Sequence, residues 1–174
     1  MPVESQRQAF SLRRAVFAYL SLLFLTTLHV WKRSPLMPQP YKTTRLVEFR
    51  HTDAAGIVHF STFFAWMEEV EHEFIRRLGF SVFMKDDKGT ISWPRVHTSC
   101  DFHSPIRFED TVDIEISLEK LGASSVHYHF HFTCKGQEVA DGKMIAACCR
   151  IGQGTRPRAI PLPETIADKL RPLL

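Results

Sequence analysis

The longest amphipathic segment of the chain predicts a helix of about 17 residues. Ser61 or Thr62 is the expected N-cap, because a hydroxyl there can accept a hydrogen bond from the free amides of the first turn. Gly79 suits the left-handed residue that ends many helices. Apolar residues recur at spacings of three and four, namely Phe63, Met67, Val70, Phe74 and Leu78. The charged residues fall mainly outside this stripe, namely Glu68, Glu69, Glu71, His72, Arg76 and Arg77. Such a helix needs a sheet on which to lie.

Alternation of apolar and polar residues predicts five strands around this helix. They are expected over residues 44–50, 93–103, 111–121, 125–134 and 138–151. Short turns separate the later strands, so the sheet should be largely antiparallel. Residues 80–89 are predicted to form a loop that ends in a turn at 86–89. One long helix followed by consecutive strands predicts an α+β domain in which the sheet wraps the helix.

Residues 1–40 differ from the rest of the chain and are predicted to be an extension, with the folded domain over residues 41–174. An apolar run at residues 15–30 lies between the pairs Arg13-Arg14 and Lys32-Arg33. Sixteen residues are fewer than the approximately 20 that a spanning helix needs, and small residues for a signal cleavage site are lacking. A true start at Met37 is the favoured interpretation. A membrane-facing helix and a signal peptide are the alternatives.

Asp53 is the main candidate for chemistry, since it follows a predicted strand and precedes the helix. From position alone, a turn-forming carboxylate is the favoured role. Gly56 permits a tight turn and a close approach of substrate to the backbone. The amides of His59 and Phe60 lie just before the helix, where the helix dipole would help to stabilise an oxyanion.

Several short segments together resemble one family. They are TDAAGIVHF at residues 52–60, the pair Phe63-Phe64, WME at 66–68, WPRV at 93–96, FHSPIRFED at 102–110 and PRAIP at 157–161. These segments are similar to the 4-hydroxybenzoyl-CoA thioesterase-like family of hotdog-fold acyl-CoA thioesterases, which includes the Tol–Pal-associated enzymes. The resemblance runs from about residue 41 to residue 170.

This resemblance implies a hotdog fold, with a long central helix wrapped by a largely antiparallel five-stranded sheet. It implies hydrolysis of an acyl-CoA to a carboxylic acid and free CoA, without a cofactor. Asp53 would be the nucleophile or the general base, the Phe60 amide the oxyanion donor and Gly56 the turn glycine. Glu68 is the alternative carboxylate, because another hotdog branch uses a helix residue. The chain would form a homodimer or homotetramer.

Bulky residues near the predicted site are expected to contact the substrate, although most of them also suit a core. The predicted substrate-binding residues are His59, Phe63, Phe64, Met67 and Trp93. Their size favours an aromatic or a short-to-medium acyl group over a long chain. An acyl-carrier-protein thioesterase and a catalytically silent acyl-binding or scaffolding protein are the alternative functions.

The charge and the cysteines narrow the function further. A net charge of +3 is too small to indicate a nucleic-acid protein, yet it is compatible with an anionic CoA ester. Four cysteines without metal-site spacing indicate reduced thiols in a cytoplasmic protein. His127, His129 and His131 share one face of a strand, but they are about 6–7 Å apart and no other ligand is evident. A solvent or interface stripe is therefore expected there, and no metal site is predicted.

Overall fold

A computed structural model describes residues 40–152 and 156–174 of the 174-residue chain. The predicted extension at residues 1–40, including the apolar run at 15–30, lies outside the described residues except for Pro40. Within the described ranges, no helix is both long enough and apolar enough to cross a membrane.

Helix α1 is the long helix and spans Phe60–Arg77. The predicted N-cap was wrong, because His59 holds that position and its Nδ1 accepts the Ser61 amide at 3.3 Å. An imidazole nitrogen is therefore the N-cap acceptor, where a serine or threonine hydroxyl was predicted. At the other end Gly79 adopts a φ of +82°, as predicted for a left-handed terminator.

Within residues 40–152 and 156–174, nine strands form two antiparallel sheets. The five-stranded sheet has the order β1-β5-β6-β7-β4, with β1 at Tyr41–Leu46, β4 at Arg95–Phe102, β5 at Thr111–Leu121, β6 at Ser125–Cys134 and β7 at Gln137–Ala147. The four-stranded sheet has the order β2-β3-β8-β9, with β2 at Phe83–Asp86, β3 at Gly89–Ser92, β8 at Cys149–Ile151 and β9 at Arg158–Ala159. A short helix α2 at Glu164–Leu170 and a 3-10 turn at Arg171–Leu173 follow. The five-stranded antiparallel sheet and the α+β class are confirmed.

The core lies between α1 and the inner face of the five-stranded sheet. Strand β6 alternates throughout between buried and more exposed residues, and β5 does so as far as Leu118, so each presents one apolar face to the helix. Phe63 of α1 packs edge-on against Phe132 of β6, with ring centroids 5.3 Å apart. Gly142 of β7 lies beneath Met67, where a Cβ would stand 2.9 Å from the Met67 sulfur. Glycine at this position therefore permits the close approach of helix and sheet.

Three predicted elements differ from the observed ones. The first strand ends at Leu46 instead of residue 50, because Val47 turns to pair with the backbone of Glu109 and Asp110 and a 3-10 turn follows at Phe49–His51. The predicted loop at residues 80–89 contains β2 and the start of β3, which form a hairpin. The last predicted strand is divided at Cys148, where the chain crosses from one sheet to the other.

Two of the four cysteines, Cys148 and Cys149, lie at this crossing, and all four are free thiols. Cys134, Cys148 and Cys149 are buried, and Cys100 is half-buried. The Cys148 amide donates to the Ser124 carbonyl, which fixes the crossing point between β7 and β8.

Candidate active site

Asp53 begins a tight turn that closes on Ile57. The Asp53 amide donates a hydrogen bond to the Ile57 carbonyl at 2.9 Å, and the Gly56 amide donates one to the Asp53 carbonyl at 3.0 Å. Gly56 has a φ of +73°, a conformation that other residues adopt only with strain. The Asp53 side chain accepts the Ala55 amide through Oδ1 at 2.8 Å. The carboxylate therefore shapes its own turn, as its position predicted.

A cavity of about 410 Å³ opens beside this turn. Its walls come from the turn, the first helical residues and the segment that ends β4. The lining residues are Asp53, Ile57, Val58, Phe60, Phe63, Phe102, His103, Ser104, Pro105 and Ile106. The cavity thus combines one carboxylate with a mainly apolar and aromatic wall.

Phe60, the first residue of α1, is also one of the residues that line this cavity. The neighbouring amides are occupied: His59 donates to the His51 carbonyl, Ser61 to the His59 ring and Thr62 to the His59 carbonyl. In the described part of the chain, the Phe60 amide has no such partner. A free N–H at the positive end of a helix is suited to a developing negative charge.

The predicted site residues separate into two groups. Asp53, Phe60 and Phe63 line the cavity. Gly56 shapes the turn, and the exposed His59 side chain caps the helix and packs against Phe60, with ring centroids 4.5 Å apart. The other predicted residues lie elsewhere: Phe64 is half-buried against the core, Met67 and Trp93 are buried within it, and Glu68 is exposed farther along α1.

The wall contributed by residues 102–106 was not predicted from the sequence. His103 and Ser104 both donate their amides to the Val139 carbonyl, which holds this segment against β7. The segment around Pro105 is one of those that resemble the family, and this resemblance was the signal in the sequence that could have indicated a role for this wall. Its place opposite Asp53 depends on tertiary packing.

A second, buried carboxylate was also misplaced by the helical pattern. Glu71 is 0% exposed, whereas it was expected mainly outside the apolar stripe. Its Oε2 pairs with the Arg95 guanidinium of β4, which also reaches Nε2 of His72 at 2.9 Å. Glu71 lies four residues after Met67 and three before Phe74. The helical spacing therefore indicated that Glu71 shares the buried face with Met67 and Phe74, although a charged residue is usually expected to be exposed.

The electrostatics of this pair are dominated by burial. Burial raises the pKa of Glu71 to about 7, while the Arg95 charge acts in the opposite direction. Burial also lowers the pKa of His72, and the Arg95 charge adds to that effect. Glu68, the alternative carboxylate, lies 3.5 Å from the same guanidinium. Glu68 thus belongs to the Arg95 cluster and does not line the cavity.

Comparison with known proteins identifies the family. The family model described as the thioesterase-like superfamily matches residues 47–170. A 1,4-dihydroxy-2-naphthoyl-CoA hydrolase of Synechococcus elongatus is 30% identical over 132 residues, which cover 75% of this chain and 95% of that relative.

Solved structures agree with this assignment. A gentisyl-coenzyme A thioesterase is 27% identical with a TM-score of 0.64, over 75% of this chain and 99% of that one. The 4-hydroxybenzoyl-CoA thioesterase of Pseudomonas sp. strain CBS-3 is 18% identical with a TM-score of 0.64, over 77% and 99% of the two chains, and shows the shared fold alone. The chain therefore belongs to the thioesterase-like superfamily and has the hotdog fold of its thioesterases.

Proposed function

We propose that this protein hydrolyses an aromatic acyl-CoA thioester at the cavity beside Asp53. The observation that supports the proposal is that Asp53 and Phe60, the first residue of α1, line the same cavity. A carboxylate supplies a base or a nucleophile, and a helix-terminal amide supplies an oxyanion donor. Together these two groups can accelerate the hydrolysis of a thioester.

The reaction can proceed by either of two routes. As a general base, Asp53 takes a proton from a water molecule as that water attacks the thioester carbonyl. As a nucleophile, Asp53 attacks the carbonyl itself, and water then hydrolyses the mixed anhydride. In both routes the Phe60 amide stabilises the oxyanion, the carbon–sulfur bond breaks, and CoA leaves as a thiolate that acquires a proton.

The cavity supports an aromatic acyl group. Phe60, Phe63 and Phe102 line it, and the rings of Phe63 and Phe102 pack edge to face with centroids 5.1 Å apart. A flat aromatic ring can stack among such side chains or meet them edge to face. The two relatives at 27% and 30% identity are named for gentisyl-CoA and 1,4-dihydroxy-2-naphthoyl-CoA, and both names describe aromatic acyl groups.

A second copy of the chain would complete the site. Within the described residues, β4 pairs with β7 on one side and forms an edge of the five-stranded sheet. Val96 on this edge is 63% exposed, and Phe102 at its end is 49% exposed while lining the cavity. Open strand edges tend to pair, so two β4 strands would join two sheets into one. The homodimer, or a tetramer of such dimers, would bring a partner surface beside the cavity.

The test compares Asp53→Asn with the wild-type protein. Asparagine keeps the size of the side chain and can still accept the Ala55 amide, so the turn should survive. It cannot act as a base or nucleophile near neutral pH, and kcat should fall by at least a factor of about 10³. Free-thiol release from 4-hydroxybenzoyl-CoA, hexanoyl-CoA and palmitoyl-CoA measures both the loss and the acyl preference.

Glu68→Gln is the matched control for this variant. It removes one carboxylate near α1 that lies outside the cavity, so most of the activity should remain. If Asp53→Asn keeps its activity and Glu68→Gln loses it, the catalytic carboxylate is Glu68 of α1 and not Asp53. A wild-type protein that binds every acyl-CoA without thiol release would instead be an acyl-binding protein.

A further inference from the structure

The outer face of the five-stranded sheet, away from α1, carries a cluster of possible metal ligands. His131 of β6 and two carboxylates of β7, Glu138 and Asp141, each offer one ligand atom, and these three atoms lie within 4.8 Å of one another. His129 approaches the same cluster, with its Nε2 2.8 Å from both carboxylate oxygens of Asp141. Two imidazoles and two carboxylates therefore meet at one place.

A β-bulge brings the second carboxylate to this face. Phe132 pairs with Ala140, but the next residue of β6, Thr133, pairs with Glu138, so Val139 is the extra residue of β7. In a regular strand, residues three apart point to opposite faces of the sheet. The bulge lets Val139 and Ala140 both be buried, so Glu138 and Asp141 share the outer face. Simple alternation along the sequence could not reveal this cluster.

The charges around the cluster favour a cation. Asp101 of β4 is the cross-strand neighbour of Asp141, and Glu115 of β5 is the neighbour of His131. Two lysines of this sheet pair mainly with other carboxylates: Lys42 contacts Glu115 at 2.7 Å, and Lys143 contacts Glu119 at 2.9 Å while interacting less strongly with Asp101 and Asp141. Asp101, Glu138 and Asp141 therefore add their negative charges at one end of the His stripe.

We propose that His131, Glu138 and Asp141 bind a divalent transition-metal ion, with Zn²⁺ as the best match. Imidazole nitrogen and carboxylate oxygen together suit Zn²⁺, whereas all-oxygen sets suit Ca²⁺ and Mg²⁺. His129 then acts as an outer partner that donates to one Asp141 oxygen and orients the other toward the ion.

The geometry needs only a small side-chain adjustment. Ligand atoms around tetrahedral zinc lie about 3.4 Å apart, and Nδ1 of His131 is already 3.8 Å from Oδ2 of Asp141. Glu138 has a side chain that is 50% exposed, so it has room to move. In the described structure its Oε1 stands 3.3 Å from Nε2 of His103, and ion binding would replace that contact.

The test titrates the untagged full-length protein, first freed of metal with a chelator, with ZnCl₂ and with CoCl₂. Calorimetry should show one ion per chain with a dissociation constant below about 10 µM, and zinc should raise the melting temperature. Cobalt should produce visible absorption bands that report its ligands. CaCl₂ and MgCl₂ at the same concentrations should leave the melting temperature unchanged.

Two variants and a matched control locate the site. His131→Gln and Asp141→Asn should each weaken zinc binding at least about 10-fold. His127→Gln removes an imidazole from the same face of the same strand, where it contacts Ser125 at 3.3 Å, and should bind zinc as the wild type does. If one of the first two variants fails to fold, Glu138→Gln replaces it. The proposal is overturned if zinc binding does not saturate, or if the ligand variants bind as tightly as the His127 control.

Discussion

The buried Glu71 carboxyl makes a sharp prediction about stability and pH. The side chain is fully buried, its Oε1 has no hydrogen-bond partner among the described residues, and its Oε2 pairs with Arg95. We expect Glu71→Gln to change how stability depends on pH. Glutamine keeps the volume and can still accept from Arg95, but it carries no proton that titrates in this range.

The size and sign of the effect follow from the two pKa values. The pKa of Glu71 is about 7 in the folded protein and 4.5 without the fold. Between these values the folded state holds a proton that the unfolded state releases, so the Glu71 contribution to stability falls as pH rises. The full separation corresponds to about 3–4 kcal/mol at about 1.4 kcal/mol per pH unit, and most of it, about 2–3 kcal/mol, lies between pH 5 and pH 8.

Urea unfolding of both proteins at pH 5 and pH 8 measures this effect. The free energy of unfolding of Glu71→Gln, minus that of the wild type, should increase by about 2–3 kcal/mol between the two pH values. His72 also titrates, with a lowered pKa, but it is present in both proteins and largely cancels. Glu69→Gln, on the exposed side of α1, controls for the loss of one negative charge.

A difference that stays constant from pH 5 to pH 8 would refute this reasoning. It would mean that Arg95 already keeps the carboxyl ionised in the folded protein at pH 5. Attraction by the guanidinium would then outweigh the cost of burial, which is the reverse of the balance that raises the pKa of Glu71.

Two further outcomes are expected from packing and from the open strand edge. Gly142→Ala should lower the free energy of unfolding by about 1–3 kcal/mol in urea, because its Cβ would stand 2.9 Å from the Met67 sulfur, and the loss should shrink when Met67→Ala is added. Light scattering at micromolar concentration should give two or four times the chain mass of 20.1 kDa, since an exposed β4 edge favours pairing. A monomer would contradict the proposed completion of the site by a second copy.

The elements that the sequence predicted best are those in which apolar and polar residues alternate over most of their length. The alternating residues of β5 and β6 gave both strands with the observed bounds, 111–121 and 125–134. The first strand was misjudged because the alternation at Val47 and Phe49 continues after the chain has turned away from the sheet. Alternation of apolar and polar residues shows which side chains share one face of a strand. It does not show where the pairing with the neighbouring strand ends.

The candidate site could be predicted only where its residues are close together in the sequence. Asp53, Gly56 and Phe60 lie within eight residues, and the turn and helix start that relate them follow from those residues. The wall at residues 102–106 reaches Asp53 through the packing of β4, which no local pattern contains. Glu71 was misplaced because a charged residue on an apolar stripe was assumed to face solvent.

The crossing at Cys148 affects how thiol chemistry can be used on this protein. The chain passes there from one sheet to the other, and both adjacent thiols are enclosed: burial raises the pKa of Cys148 to about 11 and also raises that of Cys149. Burial raises the pKa of Cys100 to about 12 and that of Cys134 in the same direction. Thiolate is the form that reacts with disulfide reagents, so the folded protein should consume such a reagent slowly near pH 8. In a thiol-release assay, a rapid rise in absorbance would then report liberated CoA. A slow additional rise would report protein thiols that become accessible when molecules unfold.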